Sequence, residues 1–109
     1  MIATRITESY ASLFLTSRCD DGSRYAAIAR IGAFEVRLIE MASGDSPEEA
    51  TLWVELFDRC LRVGIDSYKC NDLDEVIDTA QLLMTRATRL NNEAREAAPF
   101  SFNRSRENL

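Results

Sequence analysis

The sequence predicts an α+β protein in which an antiparallel β-meander of about five strands packs against one long C-terminal helix. Three observations support this class. Residues 71–90 place apolar side chains at the spacing of one helix face. Several short apolar runs between residues 10 and 70 alternate as strands do, and turn residues separate those runs. A length of 109 residues suits one domain with a single core.

The C-terminal helix is the clearest predicted element. Its apolar positions are Leu73, Val76, Ile77, Ala80, Leu83, Met84, Ala87 and Leu90. Asp72 and Glu75 have the spacing of a capping box at its start. We expect the helix to continue to residue 98 and to stop at Pro99, because proline lacks the N–H that the helix needs. Its last two or three turns would then overhang the sheet or pack on a second subunit.

Three strands are predicted in the first part of the chain, at residues 10–18, 24–31 and 34–41. Asp21-Gly22 predicts a hairpin between the first two strands, since both residues tolerate positive φ. Gly32-Ala33 predicts a type II′ hairpin between the second and third. A single strand over residues 24–41 with a bulge at Gly32 is less favoured, because it would far exceed the usual ~5–6 residues of a strand.

Residues 47–63 allow two interpretations. A Ser-Pro-Glu-Glu start followed by an amphipathic pattern would give a helix, and the fold would become βββαα. Thr, Trp, Val and Phe in close succession instead favour a strand at residues 51–58. A turn at residues 59–62 would then lead to a returning strand at residues 63–70. We favour the hairpin, because that short last strand needs a partner close in sequence.

The residue types available argue against an enzyme, a metal site and a bound cofactor. The chain has no histidine and three widely spaced cysteines, so it lacks imidazole ligands and the four thiolates of a cysteine-only zinc site. Cys70 precedes a helix N-terminus, where a thiolate would be stabilised, but a buried structural cysteine is the commoner case. The acids Asp66, Asp72, Asp74 and Glu75 lack the spacing of an EF-hand loop.

Charge and hydropathy indicate a cytoplasmic protein that binds neither nucleic acid nor membranes. The net charge is −5, and residues 45–78 hold ten acids against three bases, which would repel a phosphate backbone. No run approaches the ~18 apolar residues of a membrane span, and the first residues lack a signal-peptide apolar region. Residues 1–9 and 100–109 are expected to be flexible ends.

The aromatic residues carry the functional hypothesis. If Leu52, Val54 and Leu56 face the helix, Trp53 and Phe57 point to the other side of the sheet. Phe14 and Tyr68 are expected to join them in an uncovered patch of the kind that marks an interface. The predicted function is therefore a non-enzymatic interaction or regulatory module that forms a homodimer through this surface or through the overhanging end of the helix.

The alternative hypothesis is a small-molecule binding or sensing domain. Its pocket would lie between helix and sheet, and its polar groups would come from Tyr25, Arg37 or Tyr68. No motif in the chain is specific enough to indicate a family, since a strand running into a capped helix occurs in many small α+β domains.

Overall fold

The computed structural model describes residues 2–43 and 46–107, with side chains for residues 2–42 and 50–96. Its elements are α1 Ile2–Leu13, β1 Ser23–Ile31, β2 Phe34–Ser43, β3 Ser46–Asp58, β4 Val63–Cys70 and α2 Leu73–Glu107. The predicted α+β class, with an antiparallel sheet and a long C-terminal helix, is confirmed. The described residues form four strands rather than five.

The sheet is a meander in which each strand pairs antiparallel with the next along the chain, in the order β1-β2-β3-β4. Ile31 pairs with Phe34, which leaves Gly32 and Ala33 as the two-residue turn between β1 and β2. Gly32, the first turn residue, has a positive φ of 59°. Ala33, the second, does not, because Arg62 is the one non-glycine residue with positive φ in the described chain. A positive φ at the first turn residue only is typical of the predicted type II′ turn.

Both helices pack on one face of the sheet, called the helix face below. The buried core cluster there joins Ile6 and Leu13 of α1, Val36, Leu38, Val54 and Leu56 of the central strands, and Val76, Ala80, Leu83 and Ala87 of α2. The α2 residues recur every three or four positions, as the sequence predicts, and each is fully buried. Burial of this apolar surface is the main force that holds the two layers together.

The start of α2 is capped as predicted. The Oδ1 atom of Asp72 accepts a hydrogen bond from the backbone N–H of Glu75 at 2.9 Å, and the Glu75 carboxylate accepts one from the N–H of Asn71 at 2.8 Å. Further along, the Asn91 side chain packs directly on Gly32, where a Cβ atom would have no room. The predicted stop at Pro99 is wrong, because the helical backbone runs on to Glu107.

The predicted first strand at residues 10–18 is wrong. Residues 2–13 form α1, which buries Ile6, Ser9 and Leu13. Residues 2–9, expected to be loosely attached, are the first turns of this helix, and the Ser9 hydroxyl donates a hydrogen bond to the Ala27 carbonyl at 2.9 Å. The sequence interpretation failed because it divided the chain at Tyr10 and so broke the helical spacing of the apolar residues.

Without a first strand, Asp21-Gly22 is not a hairpin turn. It is a tight turn that leads the chain from α1 into β1. The Gly22 N–H donates to the Cys19 carbonyl at 2.9 Å, and Asp21 Oδ1 accepts from the Ser23 N–H at 2.9 Å. Gly22 has a φ of 85°, so the conformational freedom that suggested a hairpin is used, but between a helix and a strand.

The hairpin interpretation of residues 47–63 is confirmed, and the βββαα alternative is wrong. β3 and β4 pair from Leu52–Cys70 at one end to Asp58–Val63 at the other. Asp58 Oδ1 holds the turn by accepting the N–H groups of Cys60 and Leu61 at 2.9 and 3.0 Å. Part of the predicted loop at residues 42–47 is strand, since β2 reaches Ser43 and β3 begins at Ser46, while residues 44 and 45 lie outside the described residues.

Candidate functional site on the open face of the sheet

The sheet face opposite the helices, called the open face below, is not covered by either helix in the described chain. Antiparallel partners share a face, so the pairing assigns its residues in rows. One row across the sheet is Tyr25, Ile39, Trp53 and Lys69, and the next is Ala27, Arg37, Glu55 and Ser67. Met41 and Thr51 lie at one end, and Arg30, Glu35 and Phe57 at the other.

Arg37 is the centre of the charged half of the open face. Its guanidinium carbon lies 3.7 Å from the ring centre of Phe57 and 4.3 Å from that of Tyr25. Its Nε donates to Glu35 at 2.6 Å, while Arg30 donates to the other Glu35 oxygen at 2.7 Å. Burial alone raises the pKa of Glu35, but the two arginines outweigh it and hold that pKa below its usual value. This half is therefore a rigid, charge-satisfied platform.

The other half of the open face contains a shallow pocket of about 420 Å³. It is lined by Ile39, Met41, Ala42, Thr51, Trp53, Glu55 and Ser67. The Trp53 indole N–H donates to the Thr51 hydroxyl at 3.1 Å, which satisfies the ring's polar atom and fixes its orientation. Among its described lining residues, the pocket thus combines apolar walls, a hydrogen-bonded indole and one carboxylate.

Glu55 is that carboxylate. Its Oε2 lies over the backbone of Gly64, where an added Cβ atom would be 2.9 Å away. The side chain is partly buried, and among the described residues it makes no ion pair within 4.0 Å. Desolvation raises the pKa of Glu55, and the attraction of Arg37 only partly opposes this. A carboxylate held in this way has unused capacity to accept hydrogen bonds.

Replacing Glu55 with glutamine should make the isolated fold more stable at pH 7, by roughly 0.5 kcal/mol or more. The folded-state pKa of Glu55 is raised, so ionising the group costs stability as the pH rises above its unfolded value. The gain should disappear below about pH 4.5, where the wild-type group is protonated in both states. Urea unfolding of dilute protein at pH 7 and pH 4 measures both effects. A glutamine variant that is less stable at pH 7 would contradict this account.

The structure divides the four predicted interface residues between two surfaces. Trp53 and Phe57 lie on the open face, as expected. Tyr68 pairs with Val54 and so lies on the helix face, where it borders a groove with Leu82 and Arg86 of α2. The four residues therefore do not form one patch.

Phe14 is also away from the open face. It follows α1, its ring meets that of Tyr10 edge-on at 5.2 Å, and the Arg24 guanidinium lies 4.9 Å from its centre. Arg24 pairs across the strands with Glu40, which is opposite Leu52 on the helix face. The expectation that Phe14 joins Trp53 is wrong because residue 14 follows a helix and is not part of a strand.

Sequence reasoning overlooked the residues that complete the pocket. Ile39 and Met41 share the face of Trp53 because Ile39 pairs with Trp53 and Met41 with Thr51. Side chains alternate along β2, so the sequence already indicated that Ile39 and Met41 lie on the face that Leu38 does not share. The contribution of Glu55 was not visible, because it depends on the packing of this side chain over Gly64 in the next strand.

The remaining candidate groups are engaged in the fold. Cys70 is buried, and desolvation raises the pKa of its thiol, which is the opposite of what a nucleophilic cysteine requires. Asp66 forms an ion pair with Arg86, while Asp72 and Glu75 cap α2. Within the described residues, no three cysteine or acidic side chains are grouped as metal ligands would be. Neither described helix has a stretch long and apolar enough to cross a bilayer.

Comparison of the chain with protein-family models, with curated proteins and with solved structures found no match.

Proposed function

We propose that this protein is a non-enzymatic interaction module that forms a homodimer through the open face of its sheet. The observation that carries the proposal is the combination of an uncovered sheet face with Trp53, Ile39 and Met41 around a pocket and with Arg37 stacked on two aromatic rings. Aromatic residues, methionine and arginine are the types enriched at protein interfaces. A sheet face that carries such residues and that no described helix covers favours a protein partner.

The size of the open face sets the expected affinity. Four strands about 4.8 Å apart and about eight residues long at ~3.3 Å per residue cover roughly 500 Å². Two copies facing one another would bury about 1,000 Å² in total, which is the lower limit for a specific interface. We therefore expect a reversible dimer with a dissociation constant of roughly 1–100 µM.

The charges of the open face favour a second copy over nucleic acid. Its described side chains include three bases, Arg30, Arg37 and Lys69, and two acids, Glu35 and Glu55. The described part of the face is thus close to neutral on a molecule whose net charge is −5. Two such faces can meet with little repulsion, whereas a nucleic-acid site would need a clear excess of positive charge.

We also propose a cytoplasmic location and a reduced state. Cys19 and Cys60 are exposed free thiols, and Cys70 is a buried one. Free exposed thiols are suited to a reducing compartment and would be liable to oxidation outside it.

Sedimentation equilibrium across protein concentrations tests the proposal. We expect the wild type to change from monomer to dimer, and Trp53→Ala to weaken dimerisation about tenfold or more, because a central aromatic side chain is the usual energetic hot spot. Leu82→Ala is the matched control, since Leu82 is also apolar and is 61% exposed, but on α2. Circular dichroism verifies the fold of both variants. A wild type that stays monomeric at millimolar concentration, or a dimer lost in Leu82→Ala but kept in Trp53→Ala, would refute the proposal.

The alternative of a ligand pocket between helix and sheet has less support. The groove between α2 and β4, bordered by Tyr68, Leu82 and Arg86, has a volume of about 280 Å³. Typical ligand pockets occupy about 300–1,000 Å³ and enclose most of the ligand. Tyr25 and Arg37, expected to supply polar groups to this pocket, lie instead on the open face.

A further inference from the structure

We propose that the pocket beside Trp53 receives the Lys69 side chain of a second copy of this chain, with the Glu55 carboxylate as its counter-ion, and that the contact is made twice across a two-fold axis. This inference rests on the proposed dimer and specifies which groups hold it together. It assigns a role to Glu55, the one carboxylate among the described residues that line the pocket, and to the lysine beside it.

The pocket has the chemistry that a lysine side chain needs. The indole of Trp53 offers an aromatic face for a cation. Glu55 supplies a negative charge and free acceptor atoms, and the apolar walls formed by Ile39 and Met41 suit the four-carbon stem of a lysine. A strongly hydrated ammonium group would gain two partners there in place of the water it loses.

The position of Lys69 keeps its side chain out of the pocket of its own protomer and allows it to enter the pocket of a second copy. It lies on the open face opposite Trp53, on the edge strand β4, and is exposed. It does not line its own pocket and forms no ion pair with Glu55, whose carboxylate is influenced by Arg37 rather than by Lys69. Both members of the proposed pair are therefore available within each protomer.

Symmetry makes the contact reciprocal. Lys69 and Glu55 are one strand and two residues apart, or about 8 Å. A two-fold axis that lies in the plane between the facing sheets and passes midway between Lys69 and Glu55 brings each Lys69 over the other copy's Glu55. Facing sheets are about 10 Å apart, a gap that a lysine and a glutamate side chain can bridge together. The two Trp53 rings would then lie near the axis, at the centre of the interface.

The position of Glu55 is consistent with an interface role. Its charge is partly desolvated in the monomer and lacks an ion-pair partner among the described residues, so it costs stability until a cation arrives. Groups held in this way are found at functional sites more often than elsewhere, although structural ion-pair networks also contain them. The same substitution, Glu55→Gln, is thus expected to stabilise the monomer and to weaken the dimer.

A carbodiimide cross-link tests the contact directly. Lys69 is the only lysine of the chain, so amide formation between a side-chain amine and a carboxylate can occur at one amine position besides the N-terminus. The carbodiimide takes up the water that is lost. In a mixture of unlabelled and ¹⁵N-labelled protein, mass spectrometry should find a Lys69–Glu55 peptide that joins one chain of each kind. Lys69→Arg is the matched control, which keeps the charge and the dimer but removes the amine that reacts.

A double-mutant cycle on the dimer gives the energetic test. Lys69→Met and Glu55→Gln should each weaken dimerisation about tenfold, and the double variant should be little weaker than either, because both remove the same contact.

Two results separate this inference from the proposed dimer. A wild-type dimer in which the two substitutions act independently, or in which Lys69 couples to Glu55 of its own chain or to another carboxylate, overturns the Lys69–Glu55 contact and leaves the dimer standing. A wild type that never dimerises overturns both.

Discussion

Replacing Leu56 with alanine is expected to lower the free energy of unfolding by about 3 kcal/mol. Leu56 lies near the C-terminal end of β3, pairs with Val36 and is fully buried in the core cluster that includes α2 residues. Truncation removes apolar contacts and leaves a cavity that the strands on either side cannot close. A domain of this size has a total stability of only about 5–15 kcal/mol, so the loss is a large share of it.

Urea unfolding followed by circular dichroism and by the fluorescence of Trp53, the single tryptophan, measures this loss. Leu61→Ala is the matched control, because Leu61 lies in the β3–β4 turn and is 72% exposed. Its substitution should change the free energy of unfolding by less than about 0.5 kcal/mol. Equal effects of the two substitutions would mean that Leu56 is not part of the buried core between the sheet and the helices.

Replacing Glu40 with glutamine is the second change with a large expected effect, a loss of about 3 kcal/mol. Glu40 is buried on the helix face, and its carboxylate binds Arg24 and Arg18. The Arg24 side chain is only 12% exposed. Removing the negative charge leaves that guanidinium in a poorly solvated site without compensation, which costs far more than loss of a surface ion pair.

Arg30→Gln is the control for this prediction. The substitution removes the ion pair between Arg30, whose side chain is 63% exposed, and the buried Glu35. Glu35 keeps Arg37 as a partner. The cost of the substitution should stay below about 1 kcal/mol. If Arg30→Gln lowered the free energy of unfolding more than Glu40→Gln does, burial would not explain why the ion pairs of Glu40 stabilise the fold.

The pH dependence of the Glu40 effect has a definite sign. Burial alone raises the pKa of Glu40, but the hydrogen bonds from Arg24 and Arg18 outweigh it, so the pKa is lowered in the folded state. The charged group therefore stabilises the fold above the unfolded pKa of about 4.5, and this contribution is lost as the pH falls through the folded value. The difference in stability between wild type and Glu40→Gln should be full at pH 7 and should shrink below about pH 4.5.

Elements specified by neighbouring residues could be predicted from the sequence. The turn at Gly32 and Ala33, the alternation of β2 and the capped, periodic start of α2 each depend on residues within about ten positions of one another. The choice of strand for residues 51–58 was also correct, because it used the presence of a short partner strand downstream. Helix α1 could have been found by the same means, had its spacing been followed from Ile2 across Tyr10.

The placement of Tyr68 shows where local reasoning ends. The pairing of β3 with β4 contains a bulge, because Leu56 pairs with Asp66 whereas the next residue, Phe57, pairs with Gly64. Ile65 therefore has no partner in the ladder. Beyond that bulge, Val54 pairs with Tyr68, so the tyrosine lies on the helix face. Because side chains alternate, a register change of one residue moves every later side chain to the other face.

The sequence by itself determined the α+β class, the β2–β3–β4 meander and the apolar stripe of α2, because spacing and turn chemistry act between near neighbours. Only the tertiary structure decided that α1 joins α2 on one face, that the other face stays open, and that Glu55 meets Trp53 in one pocket there. Those outcomes depend on strand register and on packing between residues far apart in the chain, and a linear pattern does not specify either one.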